Sequence, residues 1–584
     1  MASISVSKIG AVPNNSGGRE GSWTRFVFIH PLVSLGFARN EKSSDLNAIY
    51  YESERKARTG KSYLAELAGK VKKIDPSLAP TDLFRALHSK WASGASDAER
   101  KYAKNIGVGV PGPALSLETS RALVRLAKEE DWSWTDPAFH VRHRAVSADD
   151  LALVPGISAE TIESARKAIG NGFDMSIMPM SLLLPTELLV MKYVPKADYF
   201  EPKPTSDHDP YGILAESIAY SANVKDTNGQ QRRIIVFSQK FRDTALVNIN
   251  GTCCHGCVGC YKSYLTREGE GNIKRYGLSS EVLLPQMDEL VKELNKRPLV
   301  DQLILSGGEP LLFSNSQLKE VLGKLKRIRN LRILRVCTGT AFQGEPFRID
   351  DELIGMFKKF SEETGIRVKF NVHLNHPDQI TPEALWAIKR LSNAGICAYA
   401  QVPIQVGINF FPDDIEKSVE LWTKLNGMVE RLGENYKMIV DMHPRTDGFI
   451  PPLEKVIEVL ERAFNSHEYS DNKQPKTVAV LCRQGNLILY PGILDSMEKR
   501  VDEESGLVKY YWLVRGPSGK LTPVKYVEPL TKDNSDPNSI AKLRERRKGM
   551  LLEAVRADEG APSAEERSKV FAPIGSEWRE KGEG

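Results

Sequence analysis

The sequence predicts an α/β fold built on a parallel sheet, with a helical region before the sheet and a small C-terminal α+β extension after it. From about residue 243, six short apolar runs alternate with segments whose apolar residues recur every three or four positions. Six β-α units in series indicate parallel strands joined by crossover helices. The sheet is either an incomplete (β/α)6 barrel or doubly wound, and both folds place chemistry at the carboxyl ends of the strands.

The predicted strands of this sheet are TALVNIN, LVDQLILSGG, LRILRVCT, IRVKFNVHL, CAYAQVPIQV and YKMIVDMHP. Thr381 followed by Pro382 predicts a helix start, because a hydroxyl caps the helix and the missing proline N–H costs nothing there. A stretch rich in Pro and Asp before the first strand predicts a linker. The predicted segments are a leader (1–44), a helical region (45–198), a linker (199–242), the sheet domain (243–465), a β extension (466–532), and a charged helix with a tail (533–584).

Composition limits the class of protein. The 584 residues include 80 basic and 75 acidic side chains, and the resulting charge of +5 is too small to indicate nucleic acid. The sequence has no apolar run long enough to predict a membrane-spanning helix, and its first residues lack the apolar segment of a secretory signal. Four of the seven cysteines fall within residues 253–260, which predicts one metal site in a reducing, cytoplasmic setting rather than a disulfide framework.

The segment NGTCCHGCVGCYK places Cys253, Cys257 and Cys260 on one loop after the first strand. Three thiolate ligands leave one iron of a [4Fe-4S] cube open, and an open iron can bind a further molecule. Cys254 is either a bystander or the first ligand of a shorter Cys-x2-Cys zinc site. A zinc site needs a second ligand pair nearby, and His255 is too close in sequence to supply it comfortably.

A second motif follows the second strand. Its residues are Ser306, Gly307, Gly308, Glu309 and Pro310. Two glycines allow the backbone to approach a ligand closely at a strand end. The carboxylate beside them can accept hydrogen bonds from an ammonium group.

These two motifs, one β-α unit apart, resemble those of the radical S-adenosylmethionine (SAM) superfamily. The resemblance implies an incomplete (β/α)6 radical SAM barrel, a [4Fe-4S] cluster on the three cysteines, and SAM bound through its methionine amino group at residues 306–310. It implies that SAM is reductively cleaved to a 5′-deoxyadenosyl radical, which takes hydrogen from a small amino-acid-like substrate. It also implies a reductase or a flavodoxin- or ferredoxin-type electron donor. The family usually has an aromatic residue before the last cysteine. Here Gly259 stands there, and Tyr261 after the cysteine is the cofactor-binding candidate.

A narrower resemblance covers most of the chain. The segments LILSGGEPLLFSNSQLKEVLGKLKRIRNLRILRV, FNVHLNHPDQITPEALWAIKRLSNAGI and AQVPIQVGIN are similar to lysine 2,3-aminomutase and its relatives. This resemblance implies that His373 and Gln401 belong to the SAM site. Asp441, His443 and Asp447 end the sixth strand, where the family keeps a substrate-binding carboxylate, and they are the catalytic candidates.

This chain departs from the pattern of that family at the motif that binds the family's second cofactor. Lysine 2,3-aminomutases carry pyridoxal phosphate (PLP) on the lysine of a Pro-Gly-Gly-Gly-Gly-Lys loop, whereas the corresponding stretch here offers only Lys473 and Lys476. The family's phosphate-binding arginine positions correspond to Lys262 and Thr244, with Arg242 close by. We therefore predict an enzyme without PLP that dehydrogenates, epimerises or rearranges its substrate. A PLP-dependent amino-acid 2,3-aminomutase is the alternative.

An alternative of another class is an iron-sulfur protein for electron transfer or nucleic-acid binding. LVPGISAETIESARKAI resembles a helix-hairpin-helix, whose backbone N–H groups bind phosphate, as in DNA glycosylases that carry a cluster. Those enzymes hold their cluster with four cysteines at wider spacing, so we do not expect a nucleic-acid partner. We also do not expect the protein to bind a membrane. The sequence is compatible with a homo-oligomer.

Overall fold

The structure, a computed structural model, describes residues 45–94, 115–197, 219–260, 262, 278, 280–339, 343–429, 435–439, 447–464, 478–482, 485–489, 492–515 and 520–559. Helices form its N-terminal part. In the described residues before the sheet they are α1 (Leu46–Arg58), α2 (Tyr63–Val71), α3 (Pro80–Gly94), α4 (Leu117–Glu129), α5 (Pro137–Arg142), α6 (Ala148–Leu151), α7 (Ala159–Gly170) and α8 (Thr186–Tyr193). Side-chain oxygens cap several of their first turns, as Ser62 does for α2 and Ser158 for α7, so local sequence fixes where these helices begin.

A ten-stranded sheet follows, and its strands lie side by side in chain order. They are β1 (Ala219–Lys225), β2 (Gln231–Ser238), β3 (Thr244–Asn250), β4 (Gln302–Gly307), β5 (Ile333–Thr338), β6 (Arg367–His373), β7 (Cys397–Ile404), β8 (Asn435–Ile439), β9 (Val478–Cys482) and β10 (Gly485–Leu489). Strands β3 to β9 are parallel, and β1, β2 and β10 are antiparallel additions at the two edges. The predicted α/β fold with a parallel sheet is confirmed, and an order without reversal differs from that of a doubly wound sheet.

Crossover helices cover one face of this sheet. They are α9 (Ser280–Leu294), α10 (Asn315–Leu325), α11 (Asp351–Thr364), α12 (Pro382–Asn393), α13 (Ile415–Val429) and α14 (Leu453–Phe464). Apolar side chains of β3 to β7 and of α9 to α12 form one buried core between the two layers. The predicted start of α12 is confirmed, because Thr381 Oγ1 accepts a hydrogen bond from the Ala384 N–H at 3.2 Å and Pro382 occupies the first turn.

Two predicted boundaries need correction. Part of the predicted linker, residues 219–238, forms the β1–β2 hairpin, whose turn contains Asn228 and Gly229, the latter with φ of +80°. Asn-Gly between two alternating segments is a hairpin signal. Strand β9, which the sequence assigns to a separate extension, instead pairs in parallel with β8, because its apolar run continues the buried sheet.

The rest of the described chain forms a second, three-stranded antiparallel sheet and a final helix. The strands are β11 (Glu498–Asp502), β12 (Leu507–Arg515) and β13 (Leu521–Pro529), and the helix is α15 (Ser539–Glu559). Apolar residues of β12 and β13 pack with α14 and β9. The extension therefore shares a core with the end of the large sheet. No helix in the described ranges is long and apolar enough to cross a membrane.

Candidate active site

The cysteine loop leaves the carboxyl end of β3. Cys253, Cys257 and Cys260 are partly exposed, whereas Cys254 is fully buried. The side chain of Cys254 lies in a small apolar cluster with Leu46, Ile49, Val141, Met178 and Leu312. The loop thus presents three thiols and withdraws the fourth into the protein.

The N-terminal region holds this loop by its backbone. The Gly256 N–H donates to the Ser176 carbonyl at 2.7 Å, and the Ser176 hydroxyl donates to the Cys254 carbonyl at 2.6 Å. The Val258 N–H donates to the Lys192 carbonyl at 2.8 Å. A Cβ on Gly256 would lie 2.8 Å from the Ser176 nitrogen, so this close approach needs glycine. These contacts join distant segments, and no local pattern in the sequence predicts them.

The zinc alternative finds no support in the same loop. The Cys254 thiol faces the apolar cluster around Leu46 and Ile49. The His255 Nε2 lies 2.8 Å from the Ser181 Oγ in a buried hydrogen bond. The Cys254 side chain and the His255 ring are therefore both engaged by buried groups of the protein.

The Ser306–Pro310 turn is bonded to the start of the cysteine loop. Gly307 has φ of +125°, and a Cβ there would lie 2.3 Å from the Asn250 carbonyl oxygen. The Gly308 N–H donates to that oxygen at 2.6 Å, and the Glu309 N–H donates to the Thr252 carbonyl at 2.8 Å. The two motifs recognised in the sequence therefore form one continuous structure at the ends of β3 and β4.

The Glu309 carboxylate is buried at the ends of β4 and β5. It accepts hydrogen bonds from the Leu311 N–H at 3.1 Å, the Thr338 hydroxyl at 3.0 Å and the Gly339 N–H at 3.1 Å. Pro310 begins a buried 3-10 helix that continues the turn. Glu309 thus stabilises this edge of the sheet, and its contact with a ligand ammonium stays a prediction.

His373 and Gln401 lie opposite each other at the ends of β6 and β7. Their side chains are hydrogen-bonded, and Gln401 Oε1 also accepts from Asn371 Nδ2 at 3.0 Å. Burial lowers the pKa of His373 to about 4, and the charges of Lys192 and Lys262 act in the same direction. The imidazole is therefore neutral at physiological pH, and the two residues predicted from the resemblance are neighbours.

Two buried lysines lie beside the cysteines. Lys262 Nζ donates to Asn248 Oδ1 at 3.2 Å and also contacts the Ser306 hydroxyl. Burial lowers the pKa of Lys262, and it lowers that of Lys192 to about 8. The charges of Cys337 and Cys260 partly offset the effect at Lys262, and the charge of Cys257 does so at Lys192. The site therefore brings two ammonium groups within electrostatic reach of two thiols of the cysteine loop and of Cys337.

Lys192 is a functional candidate that sequence reasoning missed. Its ammonium group donates to Asn375 Oδ1, and Asn375 Nδ2 donates to Gln405 Oε1. Gln405 Nε2 in turn donates to the Gly259 carbonyl at 3.2 Å. A hydrogen-bonded chain thus runs from α8 to the cysteine loop. A lone lysine in an apolar helix carries no motif, so only the three-dimensional contacts reveal it.

The structure describes the side chains of only some of the other predicted residues. Thr244 is buried and donates to Asp243 at 2.8 Å, while Arg242 is exposed. Tyr261, Asp441, His443, Lys473 and Lys476 lie outside the described residues, and of Asp447 only the backbone is described, in a short 3-10 helix.

Known proteins resemble this chain in the same region. A family model described as a 4Fe-4S single cluster domain matches residues 244–360. The L-lysine 2,3-aminomutase of Fusobacterium nucleatum is 26% identical over 335 residues, which are 57% of this chain and 71% of that protein. The enzyme of the same name from Clostridium subterminale is 25% identical over 338 residues, 57% of this chain and 72% of that protein.

Together these similarities support the assignment of this chain to the radical SAM superfamily. It is a radical SAM enzyme whose cofactors are a [4Fe-4S] cluster and SAM, as the sequence predicts. A solved radical SAM methyltransferase from Sphaerobacter thermophilus is a more distant match, at 15% identity and a TM-score of 0.28 over 45% of this chain and 77% of that one.

The thiols of this radical SAM enzyme fit a cluster chemically. Burial raises the pKa of the Cys253 thiol, and the charges of Cys257 and Glu309 raise it further, whereas coordination to a metal deprotonates a thiol outright. In the described ranges, no three His, Cys, Asp or Glu side chains converge to hold a single metal ion. The ligands of a cube bind different irons and need not converge on one point. Lys192 and Lys262 would balance the thiolate charge.

The radical SAM enzyme departs from its family pattern at Gly259 for a steric reason. A Cβ at this position would lie 2.2 Å from Gln405 Nε2 and 3.3 Å from the ring of Phe449. Gln405 and Phe449 are both nearly fully buried. The space that an aromatic side chain at residue 259 would need is therefore filled by residues from β7 onward.

Proposed function

We propose that Cys253, Cys257 and Cys260 hold the [4Fe-4S] cluster of this enzyme and that SAM binds beside them at the Ser306–Pro310 turn. The pair of hydrogen bonds that joins the two loops, from Gly308 to Asn250 and from Glu309 to Thr252, carries this proposal. It fixes the cofactor loops relative to each other at the carboxyl ends of adjacent parallel strands, where this class of fold places its chemistry.

When bound, the cluster and SAM supply an electron and a 5′-deoxyadenosyl radical that takes hydrogen from a small amino-acid-like substrate. The protein contributes position and exclusion of water. His373 and Gln401 act as neutral hydrogen-bonding groups of the SAM site, since the pKa of His373 is about 4. Lys192 holds the cysteine loop through Asn375 and Gln405.

We further propose that the sheet curves as an incomplete (β/α)6 barrel around this site and that the reaction proceeds without PLP. The PLP-dependent 2,3-aminomutase remains the second candidate, because the similar proteins from Fusobacterium nucleatum and Clostridium subterminale bear that name.

Asp441, His443 and Asp447 remain the proposed catalytic residues. A flavodoxin- or ferredoxin-type donor supplies the electron, and the six cysteines whose side chains are described are unbridged, which suits a cytoplasmic setting.

The test is anaerobic reconstitution followed by reduction with dithionite in the presence of SAM. We expect 5′-deoxyadenosine, measured by mass spectrometry, and SAM binding measured by isothermal titration. A reconstituted protein that neither binds nor cleaves SAM would contradict the proposal and favour the electron-transfer alternative. Binding to DNA with a steep salt dependence would instead favour the nucleic-acid alternative.

A further inference from the structure

The two faces of the parallel sheet differ in chemistry. On β5 and β6, the residues that face the crossover helices are apolar and almost fully buried: Leu334, Val336, Val368, Phe370 and Val372. The alternate residues, on the opposite face, are Arg335, Cys337, Lys369, Asn371 and His373, and all but Asn371 are partly exposed. Parallel strands covered on both faces are usually apolar on both. The polar and partly exposed face of β5 and β6 is therefore a candidate ligand-binding face.

Two cations form one polar layer of this face. Arg335 and Lys369 lie directly opposite each other on β5 and β6. Both contact Tyr399 of β7: Arg335 Nη1 donates to its hydroxyl at 3.3 Å, and Lys369 Nζ lies 5.9 Å from its ring centroid. Among the described side chains, neither cation has a carboxylate partner, and Arg335 Nε is buried without a hydrogen-bond acceptor. Partly buried charges are costly unless they are paired, so among the described residues this pair has no anion to balance it.

The cations lie below the cofactor site in a continuous column. One layer above them, Asn371 Nδ2 donates to Cys337 Sγ at 3.4 Å and to Gln401 Oε1 at 3.0 Å. The next layer contains His373 beside Gln401. Four residues along a strand, from Lys369 to His373, span about 13 Å. A small molecule anchored at the cations can therefore present a carbon atom near the cofactor end of the column.

We propose that Arg335 and Lys369 bind an oxyanion of the substrate, a carboxylate or a phosphate. The guanidinium offers a planar fork of donors and the ammonium a point charge, and both groups form strong charge-assisted bonds to such oxygens. The substrate is then an amino-acid-like molecule whose far end is anionic. This inference rests on the proposed function for what happens to the substrate, but the anion site itself can be tested without turnover.

The experiment is isothermal titration of the reconstituted protein with glutarate and, separately, with inorganic phosphate at constant ionic strength. We expect one or both to bind, and we expect Arg335→Gln and Lys369→Gln each to weaken that binding about tenfold or more, because each removes a charged hydrogen bond. Lys369→Arg should retain it. The matched control is Lys359→Gln on α11, which removes an equal charge from a side chain that is 75% exposed and should leave binding unchanged.

The outcomes separate the two ideas. Binding of glutarate alone identifies a carboxylate group, and binding of phosphate alone identifies a phosphoryl group. Failure of both anions to bind, or binding that Arg335→Gln and Lys369→Gln leave intact, overturns the inference. Iron content and circular dichroism check that each variant is folded. A protein that cleaves SAM but binds neither anion contradicts this inference alone, whereas one that binds an anion but never cleaves SAM contradicts the proposed function alone.

Discussion

Four thiols lie within eight residues of one another, and their surroundings separate them at the scale of single residues. Cys253, Cys257 and Cys260 are partly exposed, and Cys254 lies in an apolar cluster. We expect Cys253→Ala, Cys257→Ala and Cys260→Ala to lose the cluster. Cys254→Ala should keep about four irons and lose only about 1 kcal/mol of stability through lost packing. Iron analysis after anaerobic reconstitution measures this. An iron-free Cys254→Ala variant beside an iron-loaded Cys253→Ala variant would reverse the assignment.

Gly307 allows a second prediction at this scale. Its φ of +125°, and the 2.3 Å that would separate an added Cβ from the Asn250 oxygen, leave no room for a side chain. We expect Gly307→Ala to cost about 1–3 kcal/mol from backbone strain, plus the clash, and to reduce cluster loading. Gly355→Ala on α11 is the control, because its Cβ would meet nothing within 4 Å and a helix prefers alanine by about 0.5–1 kcal/mol. Urea unfolding measures the free energy of unfolding of both variants. Equal values for Gly307→Ala and Gly355→Ala would contradict this prediction.

The residues that the sequence could and could not identify differ in one physical respect. Cys253 to Cys260 and Gly307 to Glu309 form contiguous motifs, because one loop must present several groups at once. Lys192, Gln405 and Phe449 reach the site from three distant segments. No local spacing connects them, so their role follows only from the fold.

At the scale of secondary-structure elements, Glu528 connects three of them. This β13 residue accepts hydrogen bonds from the Leu453 N–H of α14 at 2.8 Å, the Tyr510 hydroxyl of β12 at 3.0 Å and Asn534 Nδ2 at 2.8 Å. Burial raises the pKa of Glu528 to about 7, although these bonds oppose the shift. A raised pKa stabilises the fold most at low pH, and that contribution is lost as the pH rises from about 4.5 through 7.

We therefore expect Glu528→Gln to flatten the pH dependence of stability between about pH 4.5 and 7. The variant should be more stable than the native protein at pH 8, by up to about 3 kcal/mol. Guanidinium unfolding of both proteins at pH 5 and pH 8 measures the difference. Parallel pH profiles would show that Glu528 is not the titrating group.

Sequence periodicity predicts the elements in the middle of the sheet and fails at its edges. The alternation of apolar runs and helical segments from residue 243 onward predicts β3 to β8 and their crossover helices, because each unit buries one face. The β1–β2 hairpin escapes prediction although Asn228-Gly229 marks its turn, since neighbouring prolines and acids suggest a linker. Strand β9 is predicted in the wrong unit, because an apolar run alone does not reveal its pairing partner.

At the scale of the whole molecule, the reaction class depends on a second cofactor. The chain lacks the glycine-rich lysine loop of the lysine 2,3-aminomutases. Thr244 stands at one of that family's arginine positions, and its hydroxyl donates a hydrogen bond to Asp243. A phosphate group needs cationic or backbone donors, so we expect protein purified with PLP to show no visible band that borohydride removes. A band that disappears in Lys476→Ala or Lys473→Ala would restore the aminomutase alternative.

The contacts between the cysteine loop and residues 176–192 also bear on how the enzyme is made. Synthesis proceeds from the amino end, so Ser176 and Lys192 leave the ribosome before Cys253 to Cys260 do, and β4 to β10 follow later. The bonds from Ser176 and Lys192 to the loop can therefore form while the later strands are still being translated, and the bonds from Gly308, Glu309 and Gln405 follow. The cysteine loop is therefore held from its amino-terminal side first, and its three partly exposed thiols stay accessible when the sheet is complete.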